Sequence, residues 1–392
     1  MRRSRLALIA VCSAALLYTA LFVFRVYDRK YNLFMPAYVR WAMTPAEPVN
    51  GPTHVFFLFV DHFEPDYNRP KTEAWAQRYM ALADRHHDSD GRVLQHTWFY
   101  PGEQDDGPIL DTLHRLMSRG YGEVELHLHH GDDDDASLTW QLKNAIADFQ
   151  HHGFLKTVDG RTCFAFIHGN FSLDNSDGNW ICGVNDEIQL LRKLGCYADF
   201  TFPAVYMNSQ PASVNSIFAV KDDPLPKSYN RMLPLSALED GSADLMMFEG
   251  PLIFSPSLTV RRMFLDLDDG DIHAAMPGSP RRVDNWVRAN VHVPGKPDWV
   301  FIKIFTHGIS GEKEEDAVLG PSFDETLSYL ERQYNDGKRY ILHYVTAREA
   351  YNLAMAAADK LPGPPEQYYD RPIPPYVASA PRSSELSVKR EN

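Results

Sequence analysis

Residues 54–60 read His-Val-Phe-Phe-Leu-Phe-Val, a continuous apolar run of the kind a strand needs when both of its faces are buried. Such a strand belongs inside a sheet with layers on either side, and the sequence around it keeps that rhythm. Strands are predicted at 95–100, 123–128, 163–167, 198–202, 245–254, 299–305 and 340–344. Helices are predicted at 73–87, 108–118, 186–194, 322–333 and 347–357. A further helix follows Asp135, where Leu138, Leu142, Ile146 and Phe149 recur at helical spacing. Strands alternating with helices imply parallel pairing through right-handed crossovers. The expected fold is α/β, a distorted seven-stranded parallel β/α barrel over residues 53–358. Residues 221–297, rich in Pro, Gly and Asp, are expected to be an elaboration over one face.

Both ends lie outside that rhythm. Arg2, Arg3 and Arg5 precede an uncharged run from Leu6 to Phe24, and Arg25, Arg29 and Lys30 follow it. The run is close to the length that crosses a bilayer. It lacks the short apolar core and clear cleavage site of a signal peptide. Residues 1–24 therefore read as a signal anchor, with cleavage as the second choice. The anchor places the protein in the inner (cytoplasmic) membrane, single-pass, with its domain facing the periplasm or exterior. Residues 25–52 read as a polar, Pro-containing linker, and residues 359–392 as a Pro-rich tail, extended on the surface or disordered. With a net charge of −13 and no basic stripe, the chain is not a general nucleic-acid binder. Its four cysteines have no CxxC spacing, so buried thiols are expected rather than a cysteine zinc site. Pairing of Cys182 with Cys196 is the weaker alternative.

The chemistry collects where strands end. Leu126-His127-Leu128-His129-His130-Gly131 is followed by Asp132 and three more aspartates. Alternation places His127 and His129 on one face, the arrangement a divalent transition metal needs. Other predicted strand ends carry Asp61, His62, Glu64 and Asp66, then His168, Asn170 and Asp174, and finally His307. Four strand ends bearing histidine form a stronger pattern than any single motif, because barrel active sites lie at those ends.

In this order the motifs resemble those of the NodB-like polysaccharide deacetylases, the carbohydrate esterases of family four, over roughly residues 53–350. Val60-Asp61-His62 stands where that family has paired aspartates, and His127-Leu-His129-His130 where it has its metal-binding histidines. Ile167-His168-Gly-Asn-Phe171 stands at its Arg-containing loop, and Ile304-Phe-Thr-His307 at its final Leu-x-His. The phrases 168–175 and 195–203 also resemble a divergent group from exopolysaccharide gene clusters. The resemblance implies a metal-dependent hydrolase of N-acetylated sugars, with zinc as the preferred divalent metal. It implies Asp61 as general base and His307 as acid, with His168 nearest the family's arginine. His127 with His129 or His130 would bind the metal, and the missing carboxylate ligand would be replaced by His62, Glu64 or Asp132. Glu64, Asn170 and Asp174 are expected to contact substrate. Gly131 stands where the family has its second metal histidine.

The expected activity is deacetylation of a cell-surface or exported polysaccharide, with polysaccharide and membrane as the partners. A glycosidase using Asp61 with Glu64, Asp132 or Asp174 is one alternative. A non-catalytic glycan-binding or assembly protein is the other. Several features are expected to be structural: His86 and His87 on a solvated helix end, His151 and His152 at a helix C-terminus, and Trp98, Trp180, Tyr206 and Trp286 in core packing.

Overall fold

The computed structural model describes residues 2–257 and 265–377. Strands β1 (Thr53–His62), β2 (His96–Pro101), β3 (Gly122–Leu128), β4 (Lys156–Val158), β5 (Arg161–His168), β6 (Cys196–Asp199), β7 (Ser216–Val220), β8 (Met232–Leu233) and β9 (Leu245–Glu249) come first. They are followed by β10 (Ile253–Pro256), β11 (Leu265–Asp268), β12 (Asp271–Ile272), β13 (Trp299–Thr306) and β14 (Tyr340–Val345). Helices are α1 (Arg2–Asp28), α2 (Tyr31–Met43), α3 (Arg69–Ala83), α4 (Gly107–Ser118), α5 (Asp135–His151), α6 (Glu187–Leu194), α7 (Ser236–Glu239), α8 (Pro280–Ala289), α9 (Glu312–Leu319), α10 (Pro321–Tyr334) and α11 (Ala347–Ala358).

The fold is mixed α/β around a twelve-stranded, mostly parallel sheet, and β10 and β11 form a separate hairpin. The order β12-β13-β1-β2-β3-β5-β6-β9 is parallel throughout, with β7 and β8 added antiparallel beyond β9. Strand β1 is the hub. It pairs with β13 along one edge, while the other edge is shared between β14 at Thr53–Leu58 and β2 at Val60–His62. From Val55 to His62 every residue of β1 is buried, as its apolar run demands.

Twelve strands replace the expected seven, and the sheet ends at β12 on one side and β8 on the other. Eight of the twelve (β1, β2, β3, β5, β6, β9, β13 and β14) fall on the eight predicted strand segments, and the other four (β4, β7, β8 and β12) are short or antiparallel pieces that carry no distinctive periodicity. Among the described residues no ladder joins β9 to β12 or β13. The buried Lys303 of β13 reaches across that side instead. Its ammonium donates to the carbonyls of Phe200 (2.8 Å), Phe248 (3.4 Å) and Phe202. Burial pushes its pKa down to about 7, against the attraction of Asp199.

Three boundary expectations change. The segment 25–52 contains helix α2, because Tyr31, Phe34, Tyr38 and Trp41 form a helical stripe despite the internal Pro36. Tyr31 and Phe34 are buried in a second core with Val205, Val214, Leu252 and Leu267. Residues 221–297 are more than an elaboration, since β9 is a member of the main sheet. The proline-rich tail is integral as far as Val377, and residues 378–392 lie outside the described residues. Tyr369, Ile373 and Tyr376 are buried, and Arg348 donates to the carbonyls of Tyr369 (2.8 Å) and Ile373 (2.7 Å).

His86 is buried rather than solvated, held 3.0 Å from Asp324 and 3.2 Å from Glu331. Trp98 and Trp286 are core residues, whereas Trp180 and Tyr206 are exposed. All four cysteines are unbonded thiols, with Cys182 and Cys196 buried. Helix α1 is long and apolar enough over Ile9–Asp28 to cross a membrane, a property that signal sequences share.

Candidate metal centre

Parallel strands bring their C-terminal ends to one side of a sheet. β1 ends in His62, β3 carries His127 next to its last residue, β5 ends in His168, and His307 directly follows β13. The pleat then sorts neighbours. Asp61 is in register with Trp98, and His62 with Phe99. Trp98 belongs to an aromatic layer with Trp75, Tyr79 and His96 beside α3, so Asp61 faces that layer. Its Oδ1 accepts from the Gly308 amide at 3.0 Å, and its Oδ2 lies 3.3 Å from His96 Nε2, too oblique for a hydrogen bond.

His62 faces the other way. Its ring centroid is 4.9 Å from that of His127, 4.5 Å from His307 and 4.8 Å from Phe171. Glu64, two residues past β1, supplies the carboxylate. Its Oε1 is 3.0 Å from His127 Nε2 and 3.4 Å from His129 Nε2. Two overlapping groups, His62–Glu64–His307 and Glu64–His127–His129, are each compact enough to share one metal ion. His62 and His127 are buried and form the floor, while Glu64, His129 and His307 are partly exposed and form the mouth. Beyond them, Glu103 lies 2.6 Å from His129 Nδ1.

The electrostatics of the floor favour neutral rings. Burial pushes His62 well below the ordinary histidine value, and the neighbouring His307, His127 and His129 add to the effect. Burial lowers His127 as well, more than its bond to Glu64 raises it. At the mouth the balance reverses. Burial disfavours charge on Glu64, yet hydrogen bonds from His127 and His129 hold its carboxyl well below the usual range. His129 rises to about 10, because Glu103 and Glu64 outweigh its desolvation. Neutral imidazoles beside an ionised carboxylate are the protonation states in which these groups bind metal. The Nδ1 atoms of His62 and His127 are buried without a hydrogen-bond partner.

A neighbouring group, His130, His168, Cys182 and Glu187, is wholly buried and also compact enough for a metal. Its hydrogen bonds are better read as an ion-pair network. His130 Nε2 lies 3.2 Å from Glu187 Oε1, and Glu187 Oε2 accepts from the Asp174 amide at 2.6 Å. His168 Nδ1 accepts from the Asn170 amide at 3.1 Å, which assigns the ring proton to Nε2, 3.9 Å from Glu187. An Nε2–H cannot ligate a metal. The network instead holds the loop between β5 and α6, charged at His130 and Glu187 and neutral at His168, where burial lowers the pKa to about 3.

The structure thus gathers His62, Glu64, His127, His129 and His307. It places Asp61 behind the strand, His130 and His168 in the adjoining network, and Asp132 on the exposed surface. Asn170 donates to the His130 carbonyl at 2.9 Å, and Asp174 accepts from the Ser228 amide at 2.5 Å, so both brace loops. Gly131 has no room for a side chain, because a Cβ there would meet the Trp180 carbonyl oxygen at 2.4 Å. Glu103, Glu187 and Lys303 escaped the sequence reading. Only Lys303 carried a signal, as a lone charge inside the apolar run of β13. No protein-family model matches the chain, and no curated protein matches it either.

Proposed function

We propose that this protein is a metal-dependent deacetylase of an exported or cell-surface polysaccharide, a divergent relative of the NodB-like enzymes. The observation that carries the reading is Glu64 Oε1, set among the imidazoles of His62, His127, His129 and His307 at the C-terminal ends of a parallel sheet. In this reading the sheet is that family's distorted barrel, with Lys303 spanning its open side.

Glu64 would hold the ion with the histidines of one of its two compact groups, His127 with His129 or His62 with His307, a nitrogen and oxygen donor set suited to zinc. Such an ion polarises a carbonyl and makes bound water nucleophilic near neutral pH. The chain's own residues supply the proton handling. Of His129 and His307, the one left off the ion is the candidate acid for the leaving amine, and His129, paired with Glu103 and Glu64, already carries its proton. Phe171 and Phe305 form an apolar wall beside His62, with ring centroids 4.8 and 6.2 Å away.

The test uses the full chain in detergent with N-acetylated oligosaccharides. Acetate release that chelator abolishes and zinc restores is expected. Bound metal with no acetate release, or no bound metal at all, overturns the reading. New reducing ends in place of acetate identify a glycosidase.

A further inference from the structure

Where α2 sits determines which way the candidate centre faces. Strands β6 and β9 run parallel to β5, so their C-terminal ends lie on the same side of the sheet as His168. Helix α2 packs on the segments leaving those ends, against Val205 and Val214 after β6 and Leu252 after β9. Its attachment is specific. Tyr38 Oη accepts from the Phe254 amide at 2.9 Å, and the rings of Tyr31 and Tyr38 meet Phe254 edge-on at 5.2 and 5.0 Å. At the other end of the joint, the Arg29 guanidinium stands 4.9 Å over the Tyr206 ring. Only Arg29 and the left-handed Lys30, φ 58°, separate α2 from the apolar α1.

A cleft of about 390 Å³ opens beside this joint. Arg25, Arg29 and Tyr206 line its outer side, and Asp271 and His273 its inner side. Asp271 is in register with Phe305, and Ile272 with Thr306, so the inner wall adjoins the strand end that carries His307.

An independent feature marks the same end of the molecule. Tyr67, Trp180 and Tyr206, on the loops after β1, β5 and β6, are 55%, 71% and 44% exposed. Trp140, early in the helix after β3, is 67% exposed. Amphipathic aromatic rings are enriched where proteins meet the headgroup layer of a bilayer.

We infer that the C-terminal end of the sheet faces the bilayer, so that the candidate centre acts on glycan held at the membrane surface rather than on glycan free in solution. The inference rests on α1 spanning the membrane and, for the substrate, on the glycan reading of the centre. A helix that leaves from the rim of a cleft, fixed by α2, cannot let that cleft turn to the opposite side.

The test uses the full chain in lipid vesicles, with Cys12→Ser and Cys163→Ser as background and single nitroxide labels at Tyr206→Cys, Trp180→Cys and Lys338→Cys. Residue 338 lies at the opposite end, just before β14 begins. Lipid-phase oxygen should reach the labels at 206 and 180 several-fold better, relative to an aqueous nickel complex, than the label at 338. An aqueous signature at either 206 or 180 overturns the orientation, as does release of the chain from vesicles by alkaline carbonate. In the same vesicles, acetate should leave a lipid-tethered N-acetylated glycan about tenfold faster than the same glycan free, through its higher local concentration. Equal rates overturn the substrate assignment. Expected label signatures with no acetate from either glycan uphold the orientation and sink the deacetylase reading.

Discussion

Asp61 and His62 are consecutive in β1 and serve different layers of the fold. Asp61 accepts from the Gly308 amide beside His96, and His62 stands with His127 and His307 in the candidate centre. One residue of alternation separates a structural carboxylate from a candidate metal ligand.

Substitution of the two carboxylates near the end of β1 should therefore have opposite consequences. Glu64→Gln is expected to weaken zinc binding by more than about 100-fold, since even supporting residues of such centres cost 10–100-fold. Asp61→Asn should leave zinc affinity within a few-fold and lower stability by about 1–3 kcal/mol through the turn at Gly308. Isothermal titration with zinc and urea unfolding separate the two.

His127→Ala should abolish zinc binding, whereas His168→Ala should not. The second substitution removes a member of the buried network around Glu187, so its cost should appear in unfolding. Equilibrium dialysis of both variants checks this, and loss of metal from His168→Ala would contradict the proton assignment on its Nε2.

Restoring the family's histidine spacing with Gly131→His should fail. A side chain at 131 drives into the Trp180 carbonyl. Gly131→Ala alone should cost roughly 1–3 kcal/mol, the usual range for overpacking, measured by chemical denaturation.

At the other end of the sheet, His54 Nδ1 lies 2.9 Å from His343 Nε2. Burial, helped by His343, lowers His54 to about 4. The unfolded chain takes up that proton near pH 6.5 and the folded chain only near 4. The stability contribution is therefore complete above 6.5 and lost as pH falls from 6.5 to 4, at most about 3 kcal/mol. Urea midpoints at pH 7 and pH 5 should differ less in His54→Gln than in the parent.

β1, β5 and β13 are legible because each carries an apolar run that ends at or just before a histidine, and β3 because Val124, Leu126 and Leu128 alternate into the histidine cluster. What stayed hidden has identifiable causes. Asp61 is the base the family resemblance implies, and alternation along β1 puts it on the face opposite His62. Prolines around 36–52 masked the aromatic stripe of α2. Glu103 and Glu187 reach the histidines through the fold rather than through sequence proximity, and no local spacing announces them.

The fork on β1, with β14 holding its first half and β2 its second, has a consequence for how this protein breathes. Amides flanked by ladders on both edges exchange with solvent only in the rarest openings. His62 directly follows that doubly flanked stretch, paired with β2 alone. Glu64, His129 and His307 lie just past strand ends, where local fluctuation is cheaper. The floor of the candidate centre holds its shape, and its mouth is the part free to adjust to an arriving chain.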